Sequence, residues 1–151
     1  NEQHYEVPAK FYDLCLGPRK KYSSGLWPAK DTTFEESEVA MLETYCQRAQ
    51  VKDGMKIVDL GCGWGSLTLY LAEKYPNCKI TGISNSHSQR EYILGTAKKR
   101  GYNVENINVI TCDVSKWEDE EYCEKMIGGC WKMDHFFRYA PCLQRVYRFR
   151  I

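Results

Sequence analysis

The sequence has no long apolar run, no cysteine pair at CxxC spacing and almost no excess of either charge. No stretch approaches the ~18 apolar residues that a membrane-spanning helix needs. The formal net charge of the 151 residues is +1, which gives no overall attraction to nucleic acid or to an anionic membrane. Prolines number only 5, and neither repeats nor low-complexity tracts occur, so we expect one globular domain.

Eight cysteines are present, and their spacing decides between a disulfide framework and free thiols. Without CxxC pairs, and with no secretory leader expected, the pattern favours reduced thiols and a cytoplasmic location. Cys46, for example, stands where a small buried hydrophobic residue would serve. The last thirty residues contain four possible zinc ligands, Cys123, Cys130, His135 and Cys142. Their spacings differ from the short pairs that are typical of structural zinc sites, so no metal is predicted.

Composition divides the chain into three parts. Residues 1–31 are rich in aromatic and turn-forming residues, and they are predicted to form an N-terminal lid or cap. Residues 32–121 carry regular helix and strand patterns, and they are predicted to form the ligand-binding domain. Residues 122–151 hold six basic and two acidic residues, and a solvated basic tail is favoured there over a phosphate or nucleic-acid patch.

A helix is predicted to begin after Thr33, because Thr33 and Glu36 have the spacing of a capping box. Apolar residues recur at helical spacing along it. They are Val39, Leu42, Cys46 and Ala49. Asp53-Gly54 interrupts this pattern before the next element.

Three strand patterns alternate with two helical patterns after that helix. The strands are predicted at residues 56–60, 79–83 and 108–111, and the helices at residues 66–75 and 86–100. This β-α-β-α-β order with short links predicts a Rossmann-like α/β fold with a parallel sheet. The sheet is expected to end after about the third strand, which leaves an edge for the tail or for a partner chain of an oligomer to cover.

The most informative segment is the glycine turn after the first strand, Gly61-Cys62-Gly63-Trp64-Gly65. A strand that ends in glycines and opens a helix lets the backbone approach a ligand closely and offers it free N–H groups. An NAD site would read GxGxxG, but Ser66 stands at the last glycine position, which disfavours an NAD-dependent oxidoreductase. Asp59 suits a ligand with a positive ammonium, such as the methionyl end of S-adenosylmethionine (SAM). An ordinary glycine-rich turn without a ligand is the alternative.

Polar residues end the second and third strands. They are further candidates, because ligands of open parallel sheets lie beyond the carboxyl ends of the strands. Ser84 and Asn85 can hydrogen-bond to ribose hydroxyls. Asp113 can accept a hydrogen bond from an adenine amino group, or it can be a loop or N-cap aspartate.

These segments together resemble the methyltransferases related to cyclopropane fatty acid synthase, and most of all the coclaurine N-methyltransferase-like proteins. The resemblance covers residues 1 to about 117 and implies a class I SAM-dependent methyltransferase fold with SAM as the cofactor. It rests on the segments Glu2-Gln3-His4-Tyr5-Glu6-Val7-Pro8, Lys21-Tyr22-Ser23-Ser24-Gly25, Ala40-Met41-Leu42-Glu43, Val58 to Tyr70 (VDLGCGWGSLTLY), Thr81-Gly82-Ile83-Ser84-Asn85-Ser86 with Gln89, and Cys112-Asp113-Val114.

The resemblance also implies which residues contact SAM. Tyr22 and Ser23 would touch the methionyl part, which the backbone of Gly61 and Gly63 would approach from below. The ribose and its surroundings would meet Ser84, Asn85 and Gln89. The adenine would lie between Asp113 and Val114.

For the acceptor side, the resemblance implies methyl transfer to a small-molecule amine or, in a lipid-modifying branch, to a lipid alkene. The agreement with the family sequence stops after about Glu121. The segment Met133-Asp134-His135-Phe136 matches the family's Glu-His segment poorly, so no catalytic residue is assigned. The alternative is a catalytically inactive, truncated isoform that binds SAM or a partner chain. Aromatic residues of the lid could hold a cationic amine or simply pack the lid. These are Tyr5, Phe11, Tyr12, Tyr22 and Trp27.

Overall fold

Four parallel strands form the centre of the computed structural model, which describes residues 9–113 and 125–128. Their bounds are β1 Lys56–Leu60, β2 Lys79–Ser84, β3 Ile107–Thr111 and β4 Lys125–Gly128. The order across the sheet is β3-β2-β1-β4. Leu60 lies opposite Ile83, and Ser84 lies opposite Thr111. The carboxyl ends of β1, β2 and β3 therefore meet at one edge.

Four α-helices accompany these strands in the same residues. Their bounds are α1 Ala9–Cys15, α2 Phe34–Arg48, α3 Ser66–Lys74 and α4 His87–Lys99, and a short 3-10 helix covers Val104–Asn106. Helix α3 connects β1 to β2, and α4 connects β2 to β3. The predicted β-α-β-α-β order and the parallel pairing are confirmed, and every predicted bound of these five elements agrees with the structure to within one residue.

Strand β4 corrects the prediction that the sheet ends after the third strand. It lies inside the predicted basic tail and pairs in parallel with β1, so that Met126 stands opposite Val58. Ile127 is buried and belongs to the hydrophobic core. A strand of four residues that ends in the first of two glycines is too short to show a strand period, which explains why the pattern missed this element. Covering of a sheet edge by the tail was one of the expected possibilities, and β4 of the tail does cover the edge beside β1.

Other predictions fall outside the described residues. These include segment 2–8 with Tyr5, the candidate Val114, and the tail on either side of β4 with Cys123, Cys130, His135 and Cys142. Within the described ranges, Cys15, Cys46, Cys62 and Cys112 form no disulfide. No helix in the described part of the chain has the length and apolar character that crossing a bilayer would need.

Helix α2 begins at the predicted capping box, which is confirmed. The Glu36 N–H donates to Thr33 Oγ1 at 3.3 Å, and the Thr33 N–H donates to the Glu36 carboxylate at 2.8 Å. The helix buries Leu42 and Cys46, which join the same hydrophobic cluster as Ile57 of β1. Capping fixes where the helix starts, and the apolar stripe fixes which side faces the core.

Gly65 and Gly54 provide a matched test of the packing between the glycine turn and α4. Both have positive φ, 79° and 86°. A Cβ on Gly65 would lie 2.5 Å from Cγ1 of the buried Ile93, whereas one on Gly54 would meet no atom of the described chain within 4 Å. We expect Gly54→Ala to lower the free energy of unfolding by about 1 kcal/mol through backbone strain alone. We expect Gly65→Ala to lower it by about 3 kcal/mol, because overpacking is added. Urea denaturation measures both, and equal losses would contradict the close packing.

Candidate functional site

The glycine turn, residues 61–65, leaves β1 and leads into α3 at the carboxyl edge of the sheet. Its three glycines have φ values of 70°, 53° and 79°, a region that other residues enter only with strain. The Cys62 N–H donates to the Ile83 carbonyl at 2.9 Å, which ties the turn to β2. Among the described residues, a Cβ on Gly63 would come within 4 Å of one atom, the carbonyl oxygen of Gly61, at 4.0 Å. The turn is therefore fixed on its β2 side and open at Gly63.

Ser84, Asn85 and Gln89 lie beside the turn at the end of β2 and in the first part of α4. The Ser84 hydroxyl donates to Gln89 Oε1, and both residues are buried. The N–H of Ser86 donates to Ser84 Oγ at 3.2 Å, so this hydroxyl also helps to start α4. Asn85 is exposed. The structure thus brings Ser84 and Gln89 into direct contact and turns Asn85 toward solvent.

The end of β3 joins the same edge. The Cys112 N–H donates to the Ser84 carbonyl at 2.9 Å. Asp113 is exposed. Burial and the nearby negative charge of Asp113 raise the pKa of the Cys112 thiol, in that order of size. The predicted adenine side therefore carries one carboxylate in the described residues, next to a thiol that stays protonated at neutral pH.

Asp59 lies inside the protein rather than on its surface. The residue is 2% exposed, and its carboxylate accepts a hydrogen bond from Thr68 Oγ1 at 2.7 Å. Burial raises the pKa of Asp59 to about 6, although hydrogen bonds from Thr68 and the positive charge of Lys21 both lower it. Asp59 therefore links β1 to α3 next to the turn, and a ligand's ammonium would feel its charge from behind the main chain.

Tyr22 and Ser23 follow a segment that is held firmly on α2. The buried carboxylate of Glu38 accepts the backbone N–H groups of Arg19 and Lys21, at 3.1 and 2.9 Å. The Lys21 ammonium donates to the carbonyl oxygen of Ser23 at 2.8 Å and to its hydroxyl at 3.1 Å. Ser23 is half-buried, whereas Tyr22 is 62% exposed.

Trp64 of the glycine turn packs between the N-terminal region and α4. Its ring centroid lies 5.1 Å from that of Tyr12 and 5.3 Å from that of Tyr92. The Lys20 ammonium lies 4.4 Å from the Tyr92 centroid and pairs with Asp13. Tyr12, one of the predicted lid aromatics, is thus a packing residue that joins the N-terminal region to the turn.

Sequence reasoning missed four residues that organise this edge. They are Lys21, Glu38, Trp64 and Thr68. Lys21 stands directly before Tyr22-Ser23, and Trp64 lies within the glycine turn, so their positions were noted without a role. Glu38 and Thr68 carry no local signal, since only the tertiary fold brings them to the segments that they hold.

Comparison with known proteins finds a family match over most of the chain. The family model described as mycolic acid cyclopropane synthetase matches residues 1–136. The chain is 43% identical over 142 residues to pavine N-methyltransferase from Thalictrum flavum subsp. glaucum, covering 94% of this chain and 39% of the relative. It is 45% identical over 115 residues to (S)-coclaurine N-methyltransferase of the same plant, covering 76% of this chain and 31% of the relative. The chain therefore spans well under half the length of these curated relatives.

A solved structure agrees with the fold. The crystal structure of coclaurine N-methyltransferase bound to N-methylheliamine and S-adenosylhomocysteine (SAH) superposes with a TM-score of 0.80 at 40% identity. The match covers 83% of this chain and 36% of that chain. The predicted class I SAM-methyltransferase fold and the predicted family resemblance are confirmed.

Asp59→Asn tests the buried carboxylate through the pH dependence of stability. Because burial raises the folded-state pKa from 3.8 to about 6, the folded protein keeps a proton that the unfolded chain releases between about pH 4 and 6. The contribution of Asp59 to wild-type stability is therefore expected to fall across that window, by at most about 3 kcal/mol. Asparagine keeps an acceptor oxygen for Thr68 but carries no charge. The stability of the variant relative to wild type should therefore be greater at pH 8 than at pH 4. Thermal unfolding at the two pH values measures this gain.

Asp53→Asn is the matched control. Asp53 is exposed, and hydrogen bonds from Asn77 lower its pKa. Its contribution is present above the unfolded-state pKa and is lost as the pH falls, so the sign is opposite to that of Asp59. The same pH response in both variants would contradict the account of Asp59.

Proposed function

The chain belongs to the mycolic acid cyclopropane synthetase family, and from this premise we propose that it binds SAM beyond the carboxyl ends of β1, β2 and β3. The observation that carries the proposal is the open main-chain bend at Gly63 beside the buried Ser84–Gln89 pair. Bare backbone suits close approach of a ligand, and a hydroxyl and an amide at the next strand end suit a ribose. The relative of known structure that is 40% identical holds SAH.

In this proposal, each strand end takes one part of SAM. The backbone of Gly61 and Gly63 approaches the methionyl end, with the negative charge of Asp59 behind it and Tyr22-Ser23 across from it. The ribose and its surroundings meet Ser84, Asn85 and Gln89. The adenine lies between Asp113 and Val114.

The reaction we propose is methyl transfer from the SAM sulfonium to a small-molecule amine, with a lipid alkene as the variant acceptor. The amine lone pair forms the new C–N bond while the C–S bond breaks, so the sulfur becomes the neutral thioether of SAH and the positive charge moves to the amine. A protonated amine must first lose its proton to expose that lone pair. The nucleophile, methyl carbon and sulfur must lie in line, with water kept out. The N-methyltransferase names of the relatives favour the amine.

A second candidate function is SAM binding without transfer. It is motivated by the sequence after about Glu121, where the agreement with the family stops and no catalytic residue could be assigned. In either case we propose that residues 1–31 act as a lid, that 32–121 form the SAM-binding domain and that the protein is cytoplasmic, where thiols such as Cys46 and Cys62 stay reduced. An oligomer that covers a sheet edge is also part of the proposal.

Gly63→Ala tests the site itself. If SAM lies against this glycine, the added methyl group enters its place, and SAH affinity should fall by about tenfold or more. Gly101→Ala is the matched control, because Gly101 also has a positive φ, 74°, and lies at the far end of α4. A Cβ there would meet no atom of the described residues within 4 Å. Isothermal titration calorimetry with SAH measures both variants. Undiminished binding by Gly63→Ala would end the proposed site.

Acceptor assays separate the candidate functions. The chain is incubated with methyl-labelled SAM and, in parallel, with a panel of benzylisoquinoline amines and with phospholipid vesicles. Label on an amine supports the first candidate, and label on a lipid supports the variant. SAH binding with no transfer to any acceptor supports the second candidate. Tighter binding of NAD than of SAM would overturn both.

A further inference from the structure

Three consecutive basic residues, Arg19-Lys20-Lys21, come directly before Tyr22-Ser23. Each side chain reaches a different helix, so this short segment is fastened on three sides. Arg19 forms an ion pair with Glu73 of α3, and the Lys20 ammonium lies over the Tyr92 ring of α4. The Lys21 ammonium donates to the Tyr45 hydroxyl of α2. Charged side chains therefore hold in place the segment that Tyr22 follows.

Lys21 differs from the other two because it bonds to the segment that it precedes. Its ammonium donates to the Ser23 carbonyl, the Ser23 hydroxyl and the Tyr45 hydroxyl, at 2.8, 3.1 and 3.2 Å. An ammonium has three donors, so these contacts occupy all of them. The residue is only 8% exposed. Burying an ammonium costs free energy unless it is hydrogen-bonded, so this position is unusual for a lysine that only decorates a surface.

The charge of Lys21 also acts on the buried acid of the site. Asp59 is fully buried beside the turn, and the positive charge of Lys21 favours its ionised form. The other groups that act on Asp59 are the hydroxyl and the N–H of Thr68, and the Cys62 thiol lies close enough to feel its charge.

We propose that Lys21 is a positioning residue for the SAM site: its ammonium fixes the Tyr22-Ser23 segment in the free protein. This inference rests on the proposed function of the glycine turn. A segment that is already ordered need not be ordered when the ligand binds, which raises affinity without a direct contact. Lys21 itself then touches neither the ligand nor the reacting atoms.

Lys21→Met and Lys21→Arg test this role. Methionine keeps the apolar stem and removes all three donors, so we expect SAH affinity to fall about tenfold. Arginine still donates to the Ser23 oxygens and keeps the charge, so it should restore most of that loss. Isothermal titration calorimetry with SAH gives the affinities, and thermal unfolding shows that each variant is folded. If the methionine variant does not fold, Lys21→Gln, which keeps a donor but no charge, should show an intermediate loss.

Lys74→Met is the matched control for a purely structural lysine. Lys74 pairs with Glu43 and lies over the rings of Tyr70 and Tyr75, so its removal should lower stability. It lies in the last turn of α3, at the end away from the glycine turn. Its SAH affinity should therefore equal that of wild type.

The outcomes separate this inference from the proposed function. If wild type binds no SAH, the proposed function fails and the role of Lys21 fails with it. If wild type binds SAH and the folded Lys21→Met variant binds it equally well, only the role of Lys21 is overturned. Equal losses of affinity in Lys21→Met and Lys74→Met would likewise overturn it, because the effect would then be one of general stability.

Discussion

The left-handed bend of the main chain at residues 61–65 is the constraint on which the rest of the site depends. It directs the Cys62 N–H to the carbonyl of Ile83, and it lets α3 start against Ile93 of α4 through a residue with no side chain. These contacts occupy the inner side of the bend. In the described part of the chain, one atom, the Gly61 carbonyl oxygen, lies within 4 Å of a Cβ placed on Gly63. The same backbone bend thus closes the core on one side and leaves room for a ligand on the other.

Buried polar side chains gather around this bend, where an interior built for stability alone would be apolar. Glu38, Asp59, Ser84 and Gln89 are all nearly inaccessible to solvent, and each makes a hydrogen bond. Burying them costs stability even when they are partnered. Their positions are better explained by what they hold: Glu38 fixes the N-terminal segment, Asp59 joins strand to helix, and Ser84 with Gln89 lines the next strand end.

Local periodicity was enough to place β1, β2, β3 and the helices between them, because each of those elements spans at least one full repeat of its pattern. Strand β4 is four residues long, which is too short to show an alternation. In β1, residues 57–60 are all buried, so no alternation showed in which direction Asp59 points. The role of Lys21 was not predicted, because a lysine in an aromatic, turn-rich segment is normally solvated.

A titration of 15N-labelled protein with SAH, followed by amide chemical shifts, tests the central claim most directly. The account predicts that the largest changes occur at the amides of the three strand ends, namely Gly61, Gly63, Asn85 and Asp113. Amides in the second half of α2 should change little, since that part of the helix packs on the core. Changes centred elsewhere would contradict the claim that this bend holds the cofactor, for example at the amides of Trp27 and Phe34, whose rings are exposed. No change at saturating SAH would contradict it as well.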